Sequence, residues 1–248
     1  MGTVVIEEEL DLTAPVLIEG LPGVGLVGKI ATDHTIDELD MDQIGFVDCD
    51  GLPTIATYEG DSHEVQSPVR LYADEDEDLL ALQSDIPVSK QTAPGFASTL
   101  IGWIQQVGIR ALFLSGLPSE TSDPAETPAV YGLRTGGDGF DLAAYGVDPP
   151  EERGVVAGPT GALLNRAHHG GVDACGLIVE SDPQFPDPAA ARQLITRGIE
   201  PIGEVSIPTD DLVDRAEEIR TQKEALAKRM QEANEDESSQ AQPLRMYQ

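Results

Sequence analysis

The stretch "APVLIEGLPGVGLVGKI" (residues 14–30) decides the fold. An apolar run closed by Gly20 reads as a buried strand. The glycines that follow turn the chain sharply. Residues 25–39 then read as a helix with Leu26, Ile30, Ile36 and Leu39 on one face. A strand, tight turn and helix in this order open an α/β unit. The glycines themselves admit three meanings. Gly23-x-Gly25-x-x-Gly28 has the spacing of a dinucleotide fingerprint, with Asp48 after the next strand where a ribose-binding acid belongs. Gly23, four residues, then Gly28-Lys29 make most of a P-loop, but Ile30 stands where a Ser or Thr would hold magnesium, and an alkyl group ligates nothing. The third meaning is packing: glycines let a helix leave its strand and sit close to the sheet, with Pro22 fixing the backbone before the turn. Packing is the favoured reading. A nucleotide- or dinucleotide-binding enzyme using the Gly23–Gly28 loop is the alternative.

Outward from this unit, strands and helices alternate. "QIGFVDCD" (43–50) reads as a strand, and "LPTIATYEG" (52–60), "SPVRLYAD" (67–74) and "EDLLALQSD" (77–85) as strands joined by acidic turns. "DEDED" (74–78) reads as a solvated turn, because a calcium loop needs alternating oxygen ligands, a glycine and a distant Glu. Residues 94–108 form a helix and 109–116 an interior strand, followed by a Pro/Gly/Ser/Thr-rich loop with a short strand at 129–134. "RGVVAGPTGALLNRAHHGG" (153–171) gives a strand, a Gly-Pro turn and a helix carrying Leu163 and Leu164. "VDACGLIVES" (172–181) is a buried strand. "DPAAARQLITRGIE" (187–200) is a helix with Pro188 at its start and Gly198 at its end. The expected fold is α/β, a single domain with a mixed, largely parallel sheet flanked by helices. Its expected organisation is a core domain over 1–206, a C-terminal helix over 207–232, and a flexible tether and tail over 233–248. Leu212, Ile219 and Leu226 recur every seven residues along that helix, too few repeats to define a coiled coil.

The chain carries 45 acidic residues against 15 basic ones, a net charge of −30, with 40% apolar residues in periodic runs. The apolar content argues against disorder, so the acidity reads as adaptation of a halophile's cytoplasmic protein to salt. With no basic patch, nucleic acid is not an expected partner. No apolar run approaches membrane-spanning length, so a membrane is not one either. Cys49 and Cys175 lack metal spacing and read as reduced, buried thiols. No catalytic, metal or cofactor set emerges. His168 and His169 close a helix, where imidazoles pair with terminal carbonyls. His34 and His63 lack partners at a recognisable spacing, and Arg134, Arg166, Thr160 and Gly161 are the weak makings of a phosphate cradle.

"IEGLPGVGLVGKIATDHTIDEL", then "FLSGLP", "VYGLRT", "GPTGALLNRAHHGGVDACGLIVES" and "PDPAAARQLI", in that order, resemble the proteasome assembly chaperone family in its archaeal branch. The resemblance covers about residues 14–220. It implies a nucleoside-phosphorylase-like α/β fold, a homo-oligomer and a non-catalytic protein without a cofactor. The chain ends Met246-Tyr247-Gln248, which resembles the hydrophobic-tyrosine-any tail of proteasome-binding activators and some assembly chaperones. That resemblance implies docking of these three residues between α-subunits of the proteasome core particle. Pro243 interrupts any helix before them.

Overall fold

The sheet grows outward from Val16–Gly20 (β2), which lies fully buried at its centre. The computed structural model describes residues 2–8, 10–58, 60, 62–119, 127–136, 139–184, 186–212 and 214. After β2 a 3₁₀ turn over Val24–Leu26 leads into Val27–Glu38 (α1). Asp42–Asp48 (β3), Val69–Asp74 (β4) and Leu79–Ser84 (β5) follow, then Ala93–Val107 (α2), Arg110–Pro118 (β6) and Val130–Arg134 (β7). Gly158–Gly170 (α3), Ala174–Ser181 (β8) and Pro188–Leu194 (α4) continue into a π turn over Ile195–Ile199 and Glu200–Gly203 (α5). A first strand, Thr3–Ile6 (β1), precedes them all and pairs antiparallel with β3.

The eight strands run in the order β1–β3–β4–β5–β2–β6–β8–β7. The central four, β5, β2, β6 and β8, are mutually parallel. Antiparallel pairs close both sides, β1–β3–β4–β5 on one and β7–β8 on the other. This is the mixed sheet the strand–helix alternation predicts, with its parallel strands in the middle. Side-chain alternation splits the core in two. Val16, Ile18, Leu112, Leu114 and Leu177 face α1, α4 and the π turn. Leu17, Leu82, Phe113 and Ala174 face α2 and α3. Each fully buried Leu, Ile or Phe contributes about 1.5–3 kcal/mol relative to exposure, and two such layers hold the helices without disulfides. Cys49 and Cys175 are free thiols in those layers.

Four local expectations are corrected. Among its described residues "LPTIATYEG" forms no strand; their one ladder contact is the Thr57–Gln66 bridge, and Ile55 and Tyr58 are exposed. "RGVVA" (153–157) joins no ladder either, and Val155 is 91% exposed. Gly198 does not end a helix: a Cβ there would meet Leu177 Cδ1 at 2.5 Å, so the glycine lets the π turn lie against β8. Leu26 is not on the buried face; it is the left-handed residue (φ 52°) before α1 and is part-exposed.

The acidic turn at 74–78 also does more than face solvent. The Asp78 carboxylate accepts from the amides of Thr13 (2.9 Å) and Ala14 (2.7 Å), tethering the entry to β2. At the other end of the described chain, residues 210–212 are helical and Leu212 is fully buried. The expected remainder of the C-terminal helix, the tether and Met246–Gln248 lie outside the described residues.

Candidate functional site

In open α/β sheets, ligands bind beyond the carboxyl ends of the parallel strands. The glycine loop lies at that edge, after β2, so its surroundings decide whether it cradles a ligand. They are filled by the protein itself. Gly25 has φ 61°, and a Cβ on it would lie 2.0 Å from Ser181 Oγ at the end of β8. A Cβ on Gly28 would meet Leu114 Cβ of β6 at 3.2 Å. From the other side, a Cβ on Gly116 would lie 2.5 Å from the Val24 carbonyl. The Asp187 amide donates to the Gly25 carbonyl (2.8 Å), while the Asp187 carboxylate accepts from Ser181 Oγ and from the Asp182 and Ala190 amides. The loop is thereby tied to the start of α4. Gly25 is required by its close approach to the end of β8, and Gly28 sits in tight contact with β6, which is the packing reading.

Neither nucleotide motif is completed around them. Lys29 points to Asp33 (2.8 Å) and Asp85 (3.7 Å). Asp85 in turn holds the buried Arg70 at 2.7 Å, and Arg70 also donates to Gln83 and Tyr72. Asp48 ends β3, three strand positions from β2, about 14 Å at the usual strand spacing. The sheet order carries the ribose-type acid away from the loop. Two of the phosphate-cradle residues are engaged by the fold itself. Thr160 Oγ1 donates to the Leu114 carbonyl, and a Cβ on Gly161 would lie 2.2 Å from the Val156 carbonyl. Arg134 ends β7, opposite Cys175 near the start of β8, and Arg166 lies on α3 beyond Thr160.

Two of the histidines have structural partners elsewhere in the fold. His34 donates to the Pro208 carbonyl (2.6 Å), fastening α1 to the segment after α5. His168 donates to the Thr135 carbonyl rather than to its own helix end, which corrects the sequence expectation; Gly171, left-handed at φ 65°, closes α3. Burial pushes the Cys175 thiol up to about 12, so almost none is thiolate near neutrality. Among the described residues no group of three His, Cys, Asp or Glu is placed to hold a metal. Among them, too, no helix is long and apolar enough to cross a membrane.

Two features at this edge were not legible in the sequence. Glu19 of β2 is wholly buried; its Oε1 accepts from the Leu21 amide (3.1 Å), and Oε2 has no hydrogen-bond partner. Burial holds its carboxyl well above the usual range, outweighing the opposing effect of the Leu21 amide. The second is a cleft of about 960 Å³ at the ends of β6 and β8, floored by Val24, Leu117 and Ile178 and bordered by Tyr131, Glu180 and the 149–157 segment. No spacing rule joins residues so distant in the chain.

The PAC2 family model matches residues 17–227. An uncharacterised protein of Methanocaldococcus jannaschii is 29% identical over 222 residues, 88% of each chain. The crystal structure of Pyrococcus furiosus PbaA, described as an archaeal homologue of a proteasome-assembly chaperone, superposes with a TM-score of 0.76 at 25% identity, over 96% of this chain and 97% of that one. P. furiosus PbaB, described as an archaeal proteasome activator, gives 0.74 at 25% identity, over 92% and 98%.

Proposed function

The chain belongs to the PAC2 family, and from that membership we propose that it is a non-catalytic, cytoplasmic proteasome assembly chaperone acting as a homo-oligomer. In this reading the α/β core over 1–206 builds the oligomer. The C-terminal segment over 207–232, helical at 210–212 among its described residues, and the tether over 233–248 present Met246-Tyr247-Gln248 to the α-subunits of the core particle. The observation that carries it is the likeness of the whole core to PbaA and PbaB, whose descriptions place one with assembly chaperones and the other with proteasome activation. The glycine loop adds support, since its close contacts are to Ser181, Leu114 and Gly116.

The tail chemistry suits a pocket between subunits. Met246 fills an irregular apolar gap, Tyr247 buries a ring while keeping a polar partner for its hydroxyl, and the Gln248 carboxylate takes a lysine or backbone amides. Each side chain contributes about 2 kcal/mol and the charged hydrogen bond about 2 more, against an association cost of about 4 kcal/mol or greater. One tail binds weakly, and several on one oligomer bind well through effective concentration. At molar salt the screening length is about 3 Å, so contact, not steering, sets the affinity. Co-purification of α-rings with the full-length chain, and not with a chain lacking Met246–Gln248, is the expected result. Full retention by the truncated chain rejects the tail assignment.

A further inference from the structure

Residues 153–157 border the cleft beyond β6 and β8 without joining a ladder. No described residue hydrogen-bonds to the backbone of 150–155. Across the cleft, β6 continues past Phe113, its last partner position on β2, so Ser115–Pro118 is paired on the β8 side alone. Two walls of the cleft therefore carry open main-chain groups, and such stretches are templates for an added extended peptide. Between the walls the surface is apolar. Leu117 is 42% and Val155 91% exposed, and Val24, Leu133 and Ile178 complete the lining. Apolar side chains scattered singly over a surface are ordinary, but a contiguous open group of them marks a contact site. The border is acidic: it holds Glu151, Glu152 and Glu180, and Arg153 is the one cation among the lining residues. Among the described residues no ion pair engages any of the four. The Tyr131 phenol is pushed up by burial and by Glu180 and Glu151, so carboxylates from two sides of the cleft act on one point.

We propose that this cleft binds an extended segment of another protein in which apolar residues alternate with lysine or arginine. The open main chain makes the occupant a peptide. The groups of 150–155 and 115–118 call for donors and acceptors in a repeating row, which a small apolar cation lacks. The period of two along a strand then sorts the side chains. One row covers Val155, Leu117 and Ile178, and the other meets the carboxylates. Five residues of strand span about 17 Å, which matches the five-residue stretch 153–157. Three carboxylates against one guanidinium select basic residues in the second row and reject an acidic one. The same charge disfavours a second copy of this chain, itself at −30. The assignment rests on the core alone and is independent of the proposed function.

The test uses the full-length chain and a fluorescein-labelled synthetic peptide, Val-Arg-Leu-Lys-Val-amide, followed by fluorescence anisotropy at moderate and at molar salt. Saturable binding is expected. It weakens at least roughly tenfold in Val155→Asp and about threefold to tenfold in Glu151→Gln combined with Glu152→Gln. All three positions are exposed, and circular dichroism checks that the fold is kept. Val107→Asp, at a valine of α2 that is 55% exposed, leaves binding unchanged. A peptide with Glu in place of Arg and Lys binds at least roughly tenfold more weakly at moderate salt, and the gap narrows at molar salt. N-methylation of the three inner residues keeps the side chains but removes the donors, and also costs at least roughly tenfold. Bound peptide slows amide hydrogen exchange over 151–157. Absent saturation, binding indifferent to Val155→Asp, or equal affinity of the acidic or N-methylated peptide overturns the proposal. Competition by octyltrimethylammonium as tight as that of the peptide itself overturns it in favour of a small cation.

Discussion

Replacing each glycine of the loop by alanine distinguishes packing from ligand binding, because the two readings rank the positions differently. At Gly25 an added Cβ lies 2.0 Å from Ser181 Oγ and 3.2 Å from the Asp182 carbonyl, on a backbone with φ 61°. The left-handed conformation costs a non-glycine residue about 1–2 kcal/mol, and overpacking about 1–3 more. Gly25→Ala is therefore expected to lose about 2–5 kcal/mol. Gly28 lies inside α1, where alanine gains about 1 kcal/mol of helix propensity against one tight contact to Leu114 at 3.2 Å. Gly28→Ala should stay within about 1 kcal/mol of the parent. Gly23 has φ −143° and nothing nearer than the Leu21 carbonyl at 4.0 Å, so Gly23→Ala should change stability by less than about 0.5 kcal/mol. Urea unfolding at fixed high salt measures all three, and for Gly25→Ala the midpoint should drop by about 1–2 M with an unchanged slope. Adding Ser181→Gly should return the overpacking share. A dinucleotide site needs its first glycine as much as its second. Equal losses at Gly23 and Gly25, or unchanged stability with calorimetric binding of NAD or ATP abolished by Gly25→Ala, would refute the packing account.

Further outcomes are expected elsewhere. Burial raises the Glu19 carboxyl well above its ordinary value, so between the unfolded value of about 4.3 and the raised one the folded chain binds a proton the unfolded chain has released. Stability is then greatest below that window and falls as pH rises through it; Glu19→Gln should flatten the fall in denaturation curves taken across pH. Asp187→Ala removes an N-cap whose carboxylate accepts from the Ala190 and Asp182 amides and Ser181 Oγ, and should cost about 1–2 kcal/mol by chemical denaturation. With its thiol pushed to about 12 and its side chain buried, Cys175 should react with a disulfide reagent at pH 8 about a thousandfold more slowly than a free thiol, gaining normal reactivity only on unfolding.

The parallel centre of the sheet was legible because buried strands such as Val16–Gly20 and Ala174–Ser181 are continuous apolar runs, and capping residues mark Pro188 and Gly171. Failures came where apolar composition lacked a covering layer. Residues 153–157 and 52–60 have strand-like content, but pairing depends on a neighbour that local sequence does not specify. Thr3–Ile6 was missed for the converse reason: an edge strand of four half-exposed residues exists only because β3 is there to receive it. His168 found a carbonyl from the β7 side of the sheet, a long-range contact outside any helix-end rule. Glu19 shows the same limit, since a carboxylate in a short apolar run gives no sign that the sheet will enclose it. The glycine loop was read correctly as to role, though its partners Ser181 and Leu114 became visible only in three dimensions.

The central claim concerns the last three residues, and surface plasmon resonance on immobilised α-rings at high salt tests it most directly. The full-length chain, as the proposed oligomer, should bind with an apparent affinity at least roughly a hundredfold above that of a chain lacking Met246–Gln248, while circular dichroism and mass in solution stay the same. Equal affinity of the two chains would contradict the account.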